Sequence, residues 1–300
     1  MTDRVTGEAT GEATRDVTPE GVREFPISDA PALRERADAW LEASAADARE
    51  PVAPKAAATV MFVRDGPSAV EVFMLRRVAT MAFAPRMMVF PGGGVDARDA
   101  DPSLPWAGPT PAEWAERLQV EEATARELVA AAVREVFEES GVLLAGPSAD
   151  EVVADVSGEH WQEQRRRLLQ REASLSEVLR AHDLVLRSDL LGYRAHWITP
   201  EFEARRYDTR FFSAAVPAGQ RVDDQTTEAD LAGWVRPADL LAAWRAGQAL
   251  MLPPTVVCVE EVAAAQSAAA FIAERPHVAP VQPELVQTPD GLTLRARLPR

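Results

Sequence analysis

Glu135, Glu138 and Glu139 have the spacing in this chain that most clearly indicates chemistry. Positions i, i+3 and i+4 of an α-helix share one side, so a helix here brings three carboxylates together. Like charges at these spacings destabilise an exposed helix, and the negative end of the helix dipole adds to that effect. A divalent cation reverses both effects, and Mg²⁺ commonly bridges carboxylates to phosphates. The cluster therefore predicts a Mg²⁺ or Mn²⁺ site for a phosphate-containing substrate.

A solvated acidic helix face is the alternative interpretation, and the surrounding residues disfavour it. Arg134 lies beside the cluster, where it can hold a carboxylate through a bidentate ion pair. A short predicted strand upstream ends in Phe90-Pro91 and then Gly92-Gly93-Gly94. Because glycine lets the backbone approach a ligand closely, this segment predicts a binding loop.

A helix over about 120–140 must present these carboxylates. Gly141 is a natural residue for its C-terminal end. The side of the helix opposite the carboxylates is apolar: Val129, Val133, Val136 and Phe137. Strands predicted near 57–63, 70–75, 190–198 and 205–216 alternate irregularly with helices, which indicates a mixed sheet covered by helices.

The glycine loop and this helix together resemble the Nudix box, GX5EX7REUXEEXGU, in which U is aliphatic. Gly93 fits the box glycine, and Asp99 stands where the box has its first Glu. Arg134 follows Asp99 by 35 residues rather than eight, so about 27 residues are inserted. Such an insertion resembles the larger branch of the family, similar to animal peroxisomal coenzyme A diphosphatases. The second half of the box is matched by Arg134, Glu135, Val136, Glu138, Glu139, Gly141 and Val142.

The resemblance implies a Nudix-type α/β/α sandwich with a mixed β-sheet and helical insertions. It also implies divalent-metal-dependent hydrolysis of a diphosphate bond in a nucleoside-diphosphate-linked substrate, with coenzyme A or acyl-coenzyme A as the leading candidate. The implied catalytic residues are Arg134, Glu135 and Glu138, with Glu135 as a ligand or the general base and Arg134 orienting it. The implied metal ligands are Glu135, Glu138, Glu139, the Gly93 carbonyl and, outside the box, Glu228.

Substrate contacts are less constrained by the sequence. The arginine-rich pattern that coenzyme A hydrolases carry upstream of the glycine loop is matched only at Arg76. Arg76, Arg77 and Arg86 precede the loop, and Arg210 lies on a later predicted strand; solvent-exposed or structural arginines are the alternative. A Nudix-fold nucleotide-binding regulatory module without turnover also stays open, because the box spacing and its first acid are altered.

The domain organisation follows from composition and periodicity. We expect a disordered N-terminal tail over 1–28, a Nudix domain over 29–275 and a C-terminal extension over 276–300. Inserts are expected near 100–120 and 155–183, the second of them charged and helical.

The bulk composition limits the partners. A formal net charge of −15 disfavours nucleic-acid binding through a broad basic face, and an anionic substrate then needs a local cation. The single cysteine, Cys258, excludes a disulfide within the chain. We expect no membrane contact, because apolar runs are too short for a span. The polar start predicts a cytoplasmic protein, with homodimerisation left open.

Overall fold

A mixed eight-stranded β-sheet is the centre of the fold in the computed structural model, which describes residues 21–27, 30–44, 50–78, 86–223 and 229–299. The strands in these ranges are β1 (Val22–Pro26), β2 (Lys55–Asp65), β3 (Val70–Arg77), β4 (Met88–Val89), β5 (Gly92–Gly94), β6 (Trp106–Ala107), β7 (Ala145–Gly146), β8 (Val185–Arg187), β9 (Gly192–Ile198), β10 (Tyr207–Ala214), β11 (Ala229–Val235), β12 (Pro280–Val281), β13 (Glu284–Thr288) and β14 (Gly291–Arg297). The helices are α1 (Pro31–Ser44), α2 (Pro111–Leu118), α3 (Glu122–Ser140), α4 (Glu159–Leu169), α5 (Leu175–Ala181), α6 (Pro237–Arg245), α7 (Pro253–Ala264) and α8 (Ala268–Ala273).

The strand pairing confirms the predicted mixed sheet. The order is β11-β3-β2-β10-β9-β12, with β4 paired to β3 and β5 paired to β2. β2 and β10 run parallel, whereas β2 pairs antiparallel with both β3 and β5. Two further three-stranded sheets are formed by β1-β14-β13 and by β6-β8-β7.

Apolar residues alternate along β2 and build one core on each face of the sheet. Val60 and Phe62 pack with the apolar side of α3, and Met61 and Val63 pack with the buried side of α7. This arrangement is the predicted three-layer α/β/α sandwich.

Helix α3 matches the expectation closely, and it ends where its sequence indicates. Its apolar side is buried. Gly141 has φ 69°, and its N–H donates to the Phe137 carbonyl, which is the left-handed cap that glycine permits. The carboxylate cluster is thus on the final turns of a firmly anchored helix.

One local prediction differs from the structure. The predicted tail over 1–28 is wrong for its last part, because Val22–Pro26 pair with β14 and Phe25 is buried. The apolar run Val142-Leu143-Leu144 after α3 is buried but lies outside any strand, and the strand β7 follows it. The charged insert forms two helices, α4 and α5.

The remaining tail residues, 1–20 and 28, lie outside the described ranges. No helix within those ranges is both long and apolar enough to cross a bilayer.

Candidate active site

Arg134 is the central residue of the site, and it is almost completely buried. Its guanidinium donates from Nε to Asp99 Oδ1 at 2.8 Å and from Nη2 to Asp99 Oδ2 at 2.9 Å. Nη1 donates to Glu135 Oε1 at 2.7 Å and to Glu138 Oε2 at 3.2 Å. Nη2 also donates to the Gly94 carbonyl at 2.9 Å. One cation therefore joins the glycine loop, Asp99 and two carboxylates of the cluster.

Asp99 reaches this position despite the inserted residues that separate it from Arg134. It lies in a 3-10 turn, Ala97–Ala100, whose N-cap is Asp96. Asp99 Oδ2 accepts the Asp96 N–H at 2.8 Å, so both carboxylate oxygens are engaged. The acid that replaces the box Glu is thus the bidentate partner of Arg134.

The glycine loop is a strand, β5, that lies directly against the carboxylates. A Cβ added at Gly93 would lie 2.5 Å from Glu135 Oε1, so only glycine leaves room for that carboxylate. The Gly92 N–H donates to Glu139 Oε2 at 2.8 Å. The loop and helix α3 therefore form one unit, as their order in the sequence predicts.

Burial and mutual repulsion change the proton affinities in this cluster. Burial raises the pKa of Glu135 to about 7, with the Glu138 charge adding to the rise and Arg134 opposing it. Burial likewise raises the pKa of Glu138, and Arg134 again opposes the rise. Burial disfavours the charged form of Arg134, yet its bonds to Asp99 and the nearby carboxylates raise its pKa overall. Arg134 is a permanent cation, and Glu135 titrates near neutrality.

The carboxylate oxygens of this cluster are of the kind that bind a divalent cation, although in the structure they bond to groups of the protein. Within the described ranges, no three acidic, histidine or cysteine side chains converge to hold a metal ion. The reason is that Glu135 and Glu138 turn to Arg134, while Glu139 turns to the Gly92 N–H. Glu138 Oε1, however, is buried and has no hydrogen-bond partner. An anionic oxygen in that state is a ligand for a hard cation.

A cavity of about 990 Å³ opens beside the carboxylates. Its wall is part apolar and part charged, with residues of both signs. Apolar lining residues include Leu33, Trp197, Phe211, Leu252, Pro253 and Leu294. Besides Arg134, the cations that line it are Arg36, Lys55, Arg77, Arg98, Arg171 and Arg205.

Of the arginines suggested for substrate phosphates, Arg77 lines the cavity and Arg76 does not. The two are neighbours on β3 and point to opposite faces of the sheet. Arg76 forms an exposed ion pair with Asp230 at 2.6 Å. Arg86 is exposed, has φ 60° and does not line the cavity.

Arg210 is also placed away from the cavity. It is buried on β10 and bonds to Asp208 and to His196. The alternate residues of that strand, Tyr207 and Phe211 among them, line the cavity instead. The face of β10 that carries Arg210 is therefore structural, and its other face is available to a ligand.

Glu228, the predicted ligand outside the box, lies outside the described residues. Sequence reasoning missed the cations Arg36, Lys55 and Arg205 at the cavity, because they are scattered along the chain without a motif.

Comparisons with known proteins agree with this geometry. The family model of the NUDT19 Nudix domain matches residues 109–262, just over half of the chain. Nudix hydrolase 7 of Caenorhabditis elegans is 28% identical over 197 residues, which cover 62% of this chain and 53% of that protein. Acyl-coenzyme A diphosphatase NUDT19 of Xenopus laevis is 24% identical over 221 residues, covering 61% and 57% respectively. The chain thus spans little more than half the length of these relatives.

Among solved structures, the NUDIX hydrolase from Alicyclobacillus acidocaldarius is similar over most of the fold. It has a TM-score of 0.61 at 26% identity, covering 75% of this chain and 97% of that one. The family match includes the carboxylate helix, and the structure adds the glycine loop and Asp99 to the same cluster. The chain belongs to the Nudix hydrolase family.

Proposed function

We propose that this protein hydrolyses a diphosphate bond in a nucleoside-diphosphate-linked substrate with Mg²⁺ or Mn²⁺. The observation that carries the proposal is the carboxylate cluster around buried Arg134, with the unpartnered Glu138 Oε1, at the edge of a large cavity. A fold that needed only stability would replace such a buried charged group with apolar side chains at little cost. A role in binding a cation therefore explains the cluster better than stability does.

Glu138 and Glu139 would hold the cation together with the Gly93 carbonyl, and Glu228 is a further candidate ligand. A bound divalent cation supplies charge neutralisation on the phosphates and activation of water. Arg134 keeps Glu135 and Glu138 in fixed orientations, so they need little reorganisation when the substrate arrives.

Glu135 is our candidate for the general base. Its raised pKa, about 7, leaves it partly ionised near neutral pH and makes it basic enough to accept a proton from water. Its carboxylate lies against Gly93, at the wall of the cavity, where a substrate phosphate would sit.

The cavity supports a substrate that has both anionic and apolar parts. Its volume suits a ligand larger than a mononucleotide, since typical small-molecule sites range from about 300 to 1,000 Å³. Arg77 and Lys55 offer positive charge, and Trp197 and Phe211 offer aromatic surface. The Xenopus laevis relative is named as an acyl-coenzyme A diphosphatase. We therefore place coenzyme A and acyl-coenzyme A first among the candidate substrates.

The test is product release from a panel of coenzyme A, acyl-coenzyme A, NADH, ADP-ribose and dinucleoside polyphosphates, with Mg²⁺ or Mn²⁺. Glu139→Gln is the inactivating variant. Glu127→Gln, on the same helix but away from the cavity lining, is its matched control. Cleavage that is lost in the first variant and kept in the second would support the proposal and identify the substrate class.

The regulatory alternative predicts a different result. Folded wild-type protein that binds a panel member yet cleaves none of them would contradict the proposed hydrolysis and favour a nucleotide-binding module.

A further inference from the structure

The C-terminal end of helix α3 is held by a residue of the charged insert. Arg165 lies on α4 and is 6% exposed. Its Nε donates to the Glu138 carbonyl at 2.7 Å, and its Nη2 donates to the Glu139 carbonyl at 3.1 Å. These are the backbone oxygens of the two residues that we propose as the main metal ligands.

The remaining carbonyls at this helix end are also satisfied. A helix leaves its last four carbonyls without partners within the helix. The Phe137 carbonyl accepts the Gly141 N–H at 3.0 Å, and the Ser140 carbonyl accepts the Asp223 N–H at 2.8 Å. Arg165 donates to the two remaining carbonyls, those of Glu138 and Glu139. Every carbonyl of the last turn therefore has a donor, and two of the four depend on one side chain.

Arg165 also connects this turn to a third segment of the chain. Its Nη1 bonds to the Asp223 carboxylate, whose backbone N–H already holds the end of α3. The Arg165–Asp223 pair thus joins the inserted helix α4 and the last turn of α3 to the segment that ends at Asp223.

The charge of Arg165 suits this location. The last turn of α3 contains no basic residue of its own, although its dipole and its carboxylates both make it negative. A guanidinium is a planar fork that can hold two carbonyls and a carboxylate in fixed directions at once. Lysine offers the same charge without that geometry.

We propose that Arg165 is a positioning residue for the metal carboxylates. It fixes the backbone of Glu138 and Glu139, so that their side chains are held in the correct position relative to the glycine loop. This inference rests on the proposed function, and it gives the charged insert a role in the site. Small displacements of catalytic groups reduce rates strongly, and losing a residue that orients a metal ligand reduces affinity or activity about 10–100-fold.

The experiment compares Arg165→Met with Arg165→Lys and with Arg166→Met in the full chain. Arg166 is the next residue of α4, is about half exposed and pairs with Glu163 and Glu172, away from α3. Three quantities are measured: Mn²⁺ affinity by electron paramagnetic resonance without substrate, kcat and KM on the substrate that the wild type cleaves, and amide hydrogen exchange over 136–142 in chelator.

For Arg165→Met we expect Mn²⁺ affinity to fall about tenfold or more and kcat about 10–100-fold, with KM nearly unchanged. Exchange over 136–142 should accelerate, because two carbonyls of the turn lose their donors. Arg165→Lys should recover part of each loss, and Arg166→Met should match the wild type. Folded Arg165→Met with wild-type Mn²⁺ affinity and exchange would overturn the proposal, as would equal losses in Arg166→Met.

Two further outcomes separate this inference from the proposed hydrolysis. If Arg165→Met does not fold, Arg165→Lys and Asp223→Asn replace it, and wild-type Mn²⁺ affinity and exchange in both would overturn the proposal. Wild-type protein that binds Mn²⁺ but cleaves nothing would contradict the hydrolysis alone, since the affinity of Arg165→Met would still decide this inference. Wild-type protein that binds no Mn²⁺ would overturn both.

Discussion

Removing the Arg134 guanidinium should destabilise the metal-free protein severely. The side chains of Arg134 and Asp99 are 3% and 0% exposed, and two parallel hydrogen bonds join them. Arg134→Met leaves the Asp99 carboxylate without its cation, and Glu135 and Glu138 lose the same partner. Breaking a buried ion pair by removing one partner costs about 3–5 kcal/mol. We expect a loss of that size in the free energy of unfolding near neutral pH.

Asp99→Asn is the complementary variant, and its effect should be smaller. Arg134 keeps its bonds to Glu135, Glu138 and the Gly94 carbonyl, so no cation is left unpaired. We expect the free energy of unfolding to fall by about 1–3 kcal/mol, because the buried Arg134 guanidinium loses one charged acceptor. Both variants remove the same interaction. The loss of unfolding free energy in the double variant should therefore be smaller than the sum of the two single losses, by about 1–3 kcal/mol.

The assay is urea denaturation in chelator, followed by tryptophan fluorescence. Arg236→Met is the control, because Arg236 and Asp239 form an exposed pair whose loss should change stability by less than about 1 kcal/mol. A loss below about 1 kcal/mol for Arg134→Met, or strictly additive effects in the double variant, would refute the reasoning that one buried cation holds the cluster together.

Three other predictions use the same site. The first concerns the free energy of unfolding in chelator, compared between the wild type and Glu135→Gln. The wild-type value relative to the variant should fall by up to about 3 kcal/mol between about pH 4.5 and about pH 7. The reason is that burial makes the folded state bind the Glu135 proton more tightly than the unfolded state does. A difference that does not change with pH in denaturation experiments would contradict this. Gly93→Ala should weaken Mn²⁺ binding about tenfold or more, since the new methyl group displaces the Glu135 carboxylate. Unchanged Mn²⁺ affinity, measured by electron paramagnetic resonance, would exclude that steric argument. Arg77→Met should raise KM with little change in kcat, whereas Arg76→Met should leave both unchanged; steady-state kinetics showing the reverse pattern would contradict the placement of the two side chains.

Local periodicity was enough to predict the helix and the shared side of its three carboxylates, because both follow from 3.6 residues per turn. Alternation along β10 was also predictable, but the face that meets the cavity was not. Which face meets the cavity depends on the elements that cover each side of the sheet. Arg210 is on the side covered by α2 and α3, whereas Phe211 is on the cavity side. Arg165 had no signal in the sequence, since two of its partners are backbone carbonyls and the third, Asp223, lies 58 residues away.

The altered spacing of the box is compatible with an intact site, and the energies explain why. Lengthening the connection between Asp99 and Arg134 from eight to 35 residues adds an entropic cost of only about 1.3 kcal/mol to closing the loop. The loss of about 1–3 kcal/mol expected for Asp99→Asn, in which Arg134 loses its bidentate acceptor, is comparable to that entropic cost. The inserted chain also folds, with Trp114 of α2 fully buried against Phe212, so it contributes core of its own. A motif of this kind is defined by the contact that its residues make, and the number of residues between them can vary widely as long as that contact is kept.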